Sequence, residues 1–392
     1  MRSAAATNLA TIQEASTSPL RIGFVCSEYP AFLPQHGGIG SFVHTLAHAL
    51  VAAGHAATVY GFGDRDGTAA DGGVRLRLLE RGGPWASMRA MQALIARELA
   101  SGALDLAEAA EAEGHCLPAR SGTVVRLHGG HHFWCATLPQ PKKYSRLLLE
   151  QFAVRRAGAL CAVSQFAADL TRRAMRLGRR PIEVLSNPVD TDAFTPGAGA
   201  VVPGSVLFVG AITEKKGVSE LCASMDLVGQ HHPEARLLLV GRDIARPHGA
   251  ASLRHEIEGA LSPAARARIQ FLGPRPRAEV SRLMASAHVC VFPSHMETQG
   301  IVLLEAMASG RPVVASKRGP GPEVLGADGD CGFLVDPADP TDIADKLCRV
   351  LDDDAAARQM GARGRVRAIE RFSLAACVSR NVVFYRQHLH PR

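Results

Sequence analysis

Aromatic side chains are scarce in this chain of 392 residues, at 5% of the total, and none of its nine cysteines belongs to a Cys-x-x-Cys pair. The first scarcity removes the aromatic-interleaved basic stripe of nucleic-acid binders, so nucleic acid is excluded as a partner despite a net charge of +7. The second argues against a zinc site and, the count being odd, against a disulfide framework; the thiols read as reduced and structural. Charge of either sign is missing between Glu28 and Asp64. That stretch is no membrane span, because Pro30, Pro34, Gly37, Gly38, Gly40, Gly54 and four histidines interrupt it well short of the roughly 18 apolar residues a crossing helix needs. The start, MRSAAATNLATIQEASTSPL, lacks the apolar core of a signal peptide. Residues 1–18 therefore read as a flexible polar tail, and the protein is expected in the cytoplasm.

What is present is ordinary globular composition: 47% hydrophobic, 21% charged, mean hydropathy +0.04. At about 150 residues per domain the length suggests two to three domains. The basic residues are overwhelmingly arginine beside abundant alanine and glycine, the usage a GC-rich bacterial genome gives. The positive charge suits a small anionic ligand.

Short apolar runs alternate with helical periodicity: RIGFVCS, a helix from about Gly40 to Ala53, ATVYGF, VRLRLL, a helix from near Pro84, VVRLH, ALCAVS and IEVLS. This is the pattern of a doubly wound parallel sheet, whose strands are covered on both faces. In the first helix Phe42, Leu46, Ala49, Leu50 and Ala53 define one buried face. His44 and His48 lie four apart there, but without a glutamate beside the first they read as surface or packing residues rather than metal ligands. Periodicity stops from Asn187 to Gly199, where proline and glycine accumulate, and restarts with SVLFVGA, ARLLLVG, IQFLG, HVCVFP and RPVVAS; helices from about Thr341 to His390 close the chain. The expectation is α/β: two doubly wound Rossmann-like domains, with a ligand cleft between them.

The most informative segment runs from Ser294 to Gly310. Glu297 falls in the loop after the strand HVCVFP, and Glu305 in the helix that begins near Gly300, so both are expected to face one crevice. Between them the amides of Thr298, Gln299, Gly300 and Ile301 lead into a helix N-terminus that favours a phosphate. Glutamates beside an anion site are costly unless hydroxyl groups there need acceptors, as those of a sugar or ribose do.

The spacing glutamate, seven residues, glutamate, followed by AMASGRPVVA, resembles the motif of retaining GT-B glycosyltransferases of family 4, the group 1 transferases. Further landmarks fall in the family's order: His36-Gly37-Gly38-Ile39-Gly40, DLAEAAEAEG, VVRLHGG around His128, VLSNPVDTDAF, FVGAITEKKGV, FLGPRPRAEV, and Gly321-Pro322-Glu323 before CGFLVDP. The likeness runs from about Arg21 to the last helix. It implies an N-terminal acceptor-binding domain over 19–188, a C-terminal donor-binding domain over 189–372, and a helix at 373–392 that packs back on the first. It also implies that Glu297 contacts the transferred sugar, Glu305 the ribose, and the amides after Glu297 the sugar and diphosphate. His128 would reach a sugar hydroxyl, and the loop of Gly37 and Gly38 would approach the diphosphate as residues with a Cβ cannot. A dinucleotide fingerprint and a Walker A sequence are both absent.

No carboxylate or histidine set has metal-ligand spacing: the glycines of His128-Gly129-Gly130-His131-His132 break a helical ligand face, and the Asp64/Asp66, Asp190/Asp192 and Asp328/Asp330 pairs read as solvated turns. The expectation is a metal-independent enzyme that neutralises the diphosphate with its own cations. Here the sequence departs from the family, which carries an arginine after the glycine of the first strand of the second domain; Gly210 is followed by Ala211. Lysine is scarce, so adjacent Lys215 and Lys216 stand out, and Arg242, Lys317 and Arg318 also follow strands. The basic run over 142–180 reads mainly as solvated helix faces, with weak peripheral contact to an anionic membrane as the alternative. The sequence thus reads as a transferase moving a hexosyl sugar from a UDP- or GDP-linked donor to an acceptor hydroxyl, with retention by front-face substitution. A nucleotide-sugar epimerase of the same fold and a non-catalytic nucleotide- or glycan-binding protein are the rivals.

Overall fold

The computed structural model describes residues 18–33, 37–119, 121–138, 141–197, 199–244 and 252–390. The expected tail before Ser18 and the landmark His36 lie outside the described residues. The chain forms two compact units: one of Met1–Val163, Ala167–Leu185 and Cys377–Arg392, the other of Ser164–Phe166 and Ser186–Ala376.

The first unit is built on an eight-stranded sheet of β1 (Arg21–Val25), β2 (Ala56–Gly63), β3 (Gly67–Asp71), β4 (Val74–Glu80), β5 (Leu106–Ala110), β6 (Thr123–Leu127), β7 (Ala159–Ala162) and β8 (Glu183–Val184). The spatial order is β3-β4-β2-β1-β5-β6-β7-β8. Every pairing is parallel except β3 with β4. Two of these strands were not expected from the sequence. β3 is short, largely exposed and poor in apolar residues, while β5 carries Glu108 in the middle of an otherwise apolar run. Burial of Glu108 is compensated by Arg126 on neighbouring β6, whose Nε and Nη2 donate to its two carboxylate oxygens at 2.6 and 3.0 Å. Tyr385 donates to the same carboxylate at 2.8 Å and Asn381 accepts from Arg126 at 2.6 Å. Those two residues belong to the last helix, Leu374–Gln387, which this buried charged network fastens to the first sheet.

The second unit holds six parallel strands: β9 (Ser205–Val209), β10 (Arg236–Val240), β11 (Ile269–Gly273), β12 (Val289–Phe292), β13 (Val313–Ser316) and β14 (Gly332–Val335). Their order is β11-β10-β9-β12-β13-β14. β14 was a landmark rather than an expected strand, being only four residues long between turns. One continuous apolar core, including Val206, Phe208, Val289, Val291, Leu304 and Val314, fills the space between this sheet and its helices. In each unit the strand order reverses beside the first strand, at β1/β5 and at β9/β12. Crossover loops there leave in opposite directions and open a crevice at the carboxyl ends, where ligands bind in open α/β sheets.

Candidate functional site

In the second unit the loops after β9 and β12 meet. Past Ala211, the Ile212 amide donates to the Arg242 carbonyl at 2.9 Å, pinning the first loop to the one after β10. A single tight turn, Glu214–Lys216, follows and ends at Gly217, whose φ of 67° is left-handed. A Cβ at Gly217 would collide with the Pro293 carbonyl oxygen, so only glycine lets the two loops approach this closely. The approach brings Lys216 Nζ onto Glu297 Oε2 in a direct ion pair whose side chains keep 18% and 22% of their surface. Lys215 stands beside it; burial and the neighbouring Lys216 charge depress its pKa. Its carbonyl accepts the Met296 amide at 3.4 Å.

Gln299 is buried and spends its side chain on the backbone: it accepts from the Asn187 amide at 2.8 Å and donates to the Asn187 carbonyl at 3.3 Å. This fixes the loop between Glu297 and the helix Ile301–Ala308. That helix follows Gly300 without a side-chain cap; the Leu303 amide donates to the Gly300 carbonyl at 3.0 Å, and no side chain takes up the amides that precede it. Glu297 lines a small hollow with Ser294, Ser316 and Arg318. Glu305 is directed elsewhere, to the Arg277 guanidinium 3.5 Å away, which itself lies over the Phe194 ring. Burial pushes the Glu305 carboxyl up to about 7. Arg277 was missed in the sequence, although it sits in the quoted FLGPRPRAEV.

In the first unit the β1/β5 crevice is an 810 Å³ cavity lined by Arg81, His115, His131, Trp134 and Arg146 among others. Its loops are held by glutamates. Glu111 accepts the amides of His128, Gly129 and Gly130 at 2.9, 2.8 and 2.5 Å, and Glu150 those of His131 and His132 at 2.6 and 3.0 Å. His128 is thereby fixed at the end of β6, edge-on to Phe42 at 4.8 Å between centroids. Burial, aided by the Arg126 charge, lowers its pKa to about 3, so the imidazole is neutral at physiological pH. His131 Nε2 takes the Lys143 amide at 2.8 Å, and His132 Nε2 lies 2.9 Å from the Leu147 carbonyl, so these rings do not converge on a metal.

The chain matches Glycosyltransferase Family 4 over residues 36–193 and Glycosyl transferases group 1 over residues 203–353. It belongs to the family 4, group 1 glycosyltransferases. An MMP α-(1→4)-mannosyltransferase of Mycolicibacterium hassiacum is 31% identical over 261 residues, covering 65% of this chain and 58% of that protein. A D-inositol 3-phosphate glycosyltransferase of Corynebacterium diphtheriae is 34% identical over 195 residues, 46% of this chain and 44% of its own length. The chain thus spans about half the length of these curated relatives. HepE of Anabaena, solved in complex with UDP and glucose, superposes with a TM-score of 0.69 at 19% identity, over 94% of this chain and 100% of that one. That likeness is one of fold, GT-B.

Against the group 1 pattern, the geometry sorts the candidate cations around Ala211. Lys317 Nζ and Arg318 Nη2 both reach Asp336, at 3.2 and 2.8 Å, so neither charge is uncommitted. Arg242 has no acidic partner among the described residues, and its backbone is tied to the Ala211 loop through Ile212. The two glycines of the group 1 landmark differ in their surroundings. At Gly37 the space of a Cβ is taken by the Glu28 carboxylate, which accepts the Gly37 amide at 2.7 Å; only Gly38 faces open space. Gly37 is glycine because of its own chain. One carboxylate of each Asp-x-Asp pair accepts a backbone amide: Asp66 that of Glu80 at 2.7 Å, Asp190 that of Asp192 at 3.1 Å and Asp328 that of Leu334 at 2.7 Å.

Proposed function

We propose that the chain is a retaining, metal-independent glycosyltransferase that moves a hexosyl sugar from a UDP- or GDP-linked donor to an acceptor hydroxyl. The observation that carries this reading is the Lys216–Glu297 pair, held at the β9/β12 crevice beside an uncapped helix start. The donor diphosphate takes Lys216 as counter-ion, with Lys215 and Arg242 adjacent and the amides of Gly300 and Ile301 as further donors. Glu297, released from Lys216, accepts a hydroxyl of the transferred sugar, and Glu305 accepts the ribose. UDP and glucose in HepE support a donor of this class.

In the transfer step the bond from the anomeric carbon to the diphosphate oxygen breaks, and one to the acceptor oxygen forms on the same face. The acceptor proton passes to the departing phosphate oxygen, so no protein base is required. Stabilising the charge that gathers on the diphosphate is then the main catalytic contribution, and Lys216 supplies it. His128, neutral, hydrogen-bonds a sugar hydroxyl. The acceptor occupies the first unit's cavity, where Arg81 and Arg146 suit an anionic group; the inositol phosphate named for the Corynebacterium relative has one.

Peripheral membrane contact has one support. Helix Tyr144–Arg156 exposes Tyr144, Leu148 and Phe152, one turn apart, near Lys142, Lys143, Arg155 and Arg156. Flotation with anionic but not neutral vesicles is the expected result. Among the described residues no helix is long and apolar enough to cross a membrane.

The deciding experiment is a panel of UDP- and GDP-sugars followed by thermal shift and by hydrolysis in excess chelator. A binding donor raises Tm by mass action even without its acceptor. Slow hydrolysis that persists in chelator and keeps the anomeric configuration is expected. Activity lost in chelator and restored by Mg²⁺ overturns metal independence, and conversion of donor to an epimer without acceptor overturns transfer.

A further inference from the structure

The helix Gly38–Ala52 buries Phe42, Val43, Leu46, Ala47 and Leu50, which leaves His44 and His48, one turn apart, along its edge. In sequence they lack a third ligand. The sheet supplies one: Asp71 ends β3 and pairs with Val74 across a two-residue turn of Gly72 and Gly73, with φ of 52° and 89°. Positive φ at both central positions defines the tight turn that matches sheet twist, and the Gly-Gly pair permits it. This hairpin lies against the histidines so closely that a Cβ on Gly72 would stand 2.5 Å from His48 Cε1.

Three ligand atoms converge. Asp71 Oδ2 is 3.6 Å from His44 Nε2 and 3.2 Å from His48 Nε2, and the three residues each offer one ligand atom within 4.8 Å of the other two. Two bonds of about 2.0–2.1 Å at a tetrahedral angle separate their ligand atoms by about 3.3 Å, so both carboxylate separations suit edges of one coordination tetrahedron. Tyr29, buried beneath, donates its hydroxyl to Asp71 Oδ2 at 2.8 Å and orients that carboxylate, as groups behind metal ligands do. The side chains of His44, His48 and Asp71 keep 41%, 29% and 33% of their surface, which leaves room for a water as fourth ligand. No other group of three such residues meets the same geometry among the described residues.

We propose that His44, His48 and Asp71 form a Zn²⁺ site that clamps the first helix of the first unit to the β3–β4 edge hairpin. Two imidazoles and one carboxylate are a ligand set for a borderline divalent ion rather than for Mg²⁺ or Ca²⁺, which take oxygen shells. The site belongs to the first unit, whereas Lys216, Glu297 and Glu305 belong to the second; its role is structural and the transfer reaction makes no use of it.

The test uses tag-free full-length chain, stripped with chelator, desalted and titrated with Zn²⁺ by calorimetry, with Co²⁺ as spectroscopic probe. One saturable equivalent of Zn²⁺, a rise in Tm on binding, and tetrahedral Co²⁺ bands are expected. His48→Gln and Asp71→Asn should each weaken Zn²⁺ binding by about 100-fold, while His131→Gln, a histidine outside the cluster, should leave it unchanged. Circular dichroism confirms that each variant is folded, which these partly exposed positions favour. Absence of saturable binding at micromolar Zn²⁺ overturns the proposal, as does undiminished affinity in folded His48→Gln and Asp71→Asn. Loss in His131→Gln alone places the metal elsewhere and overturns it equally.

Discussion

The two crevices use the same side chain for opposite ends. In the first unit Glu28, Glu111 and Glu113, just past strand ends, and Glu150, within the helix Tyr144–Arg156, accept backbone amides and hold loops in shape. In the second, Glu297 and Glu305 face the side chains of Lys216 and Arg277, and the loop is instead built by Gly217 and Gln299. A carboxylate consumed by amides cannot answer a ligand. Glu297, paired with a flexible lysine, can exchange that partner for a hydroxyl at modest cost, since both of these charges stay partly hydrated.

Substitutions that remove a carboxylate from each crevice break this comparison most sharply. Glu111→Ala should leave three loop amides without their acceptor, at roughly 1–3 kcal/mol each where no water replaces it, so chemical denaturation should show a loss of several kcal/mol. Glu297→Gln should instead leave the denaturation midpoint almost unchanged and lower kcat. Equal stability losses in the two variants would mean that Glu297 is also a loop-builder.

Next in size is Lys216→Ala, for which kcat/KM should fall by about 100-fold or more, the range seen when a preorganised charge-stabilising group is removed. Arg242→Ala should weaken donor binding, whereas Lys317→Ala and Arg318→Ala, each taken from an exposed pair with Asp336, should change stability and activity little. Ala211→Arg sharpens the same point. A rise in donor affinity would show a charge truly vacant beside Gly210, and a fall would show that Arg242 already occupies its place.

Glu305 gives a pH signature. Its pKa is raised by burial to about 7 from an ordinary 4.5, so the folded state favours the protonated form. The stability this contributes is complete below about pH 4.5 and is lost as pH rises through 7. Glu305→Gln should therefore match wild type near pH 5 and exceed it in Tm at pH 8. The ionised carboxylate is the form that accepts ribose hydroxyls, so wild-type donor KM should fall as pH rises through 7, and this slope should vanish in the variant. The smallest effect is expected at Gly38, where open space should admit alanine with little change in Tm, while Gly37→Ala must displace Glu28.

Much of this was legible in the chain itself. Apolar runs and the Gly/Pro-rich stretch after Asn187 marked two α/β units, because both signals are local: a strand buried on two faces is apolar residue by residue, and turns need particular backbone angles. Glu297, Glu305 and Lys216 were found at their loops and helix for the same reason. The strands with a weak local signal, exposed β3, charged β5 and short β14, were not. Only the tertiary structure decided what each charged group faces. Arg277 meets Glu305, Arg126 meets Glu108 and Tyr385, Asp336 takes both Lys317 and Arg318, and Asp71 joins His44 and His48. These partners lie from 18 to 259 residues apart, and only the packing of strands and helices together brings them into contact. Hydrophobic periodicity fixes which face of an element is buried; it carries no information on which element will lie beside it.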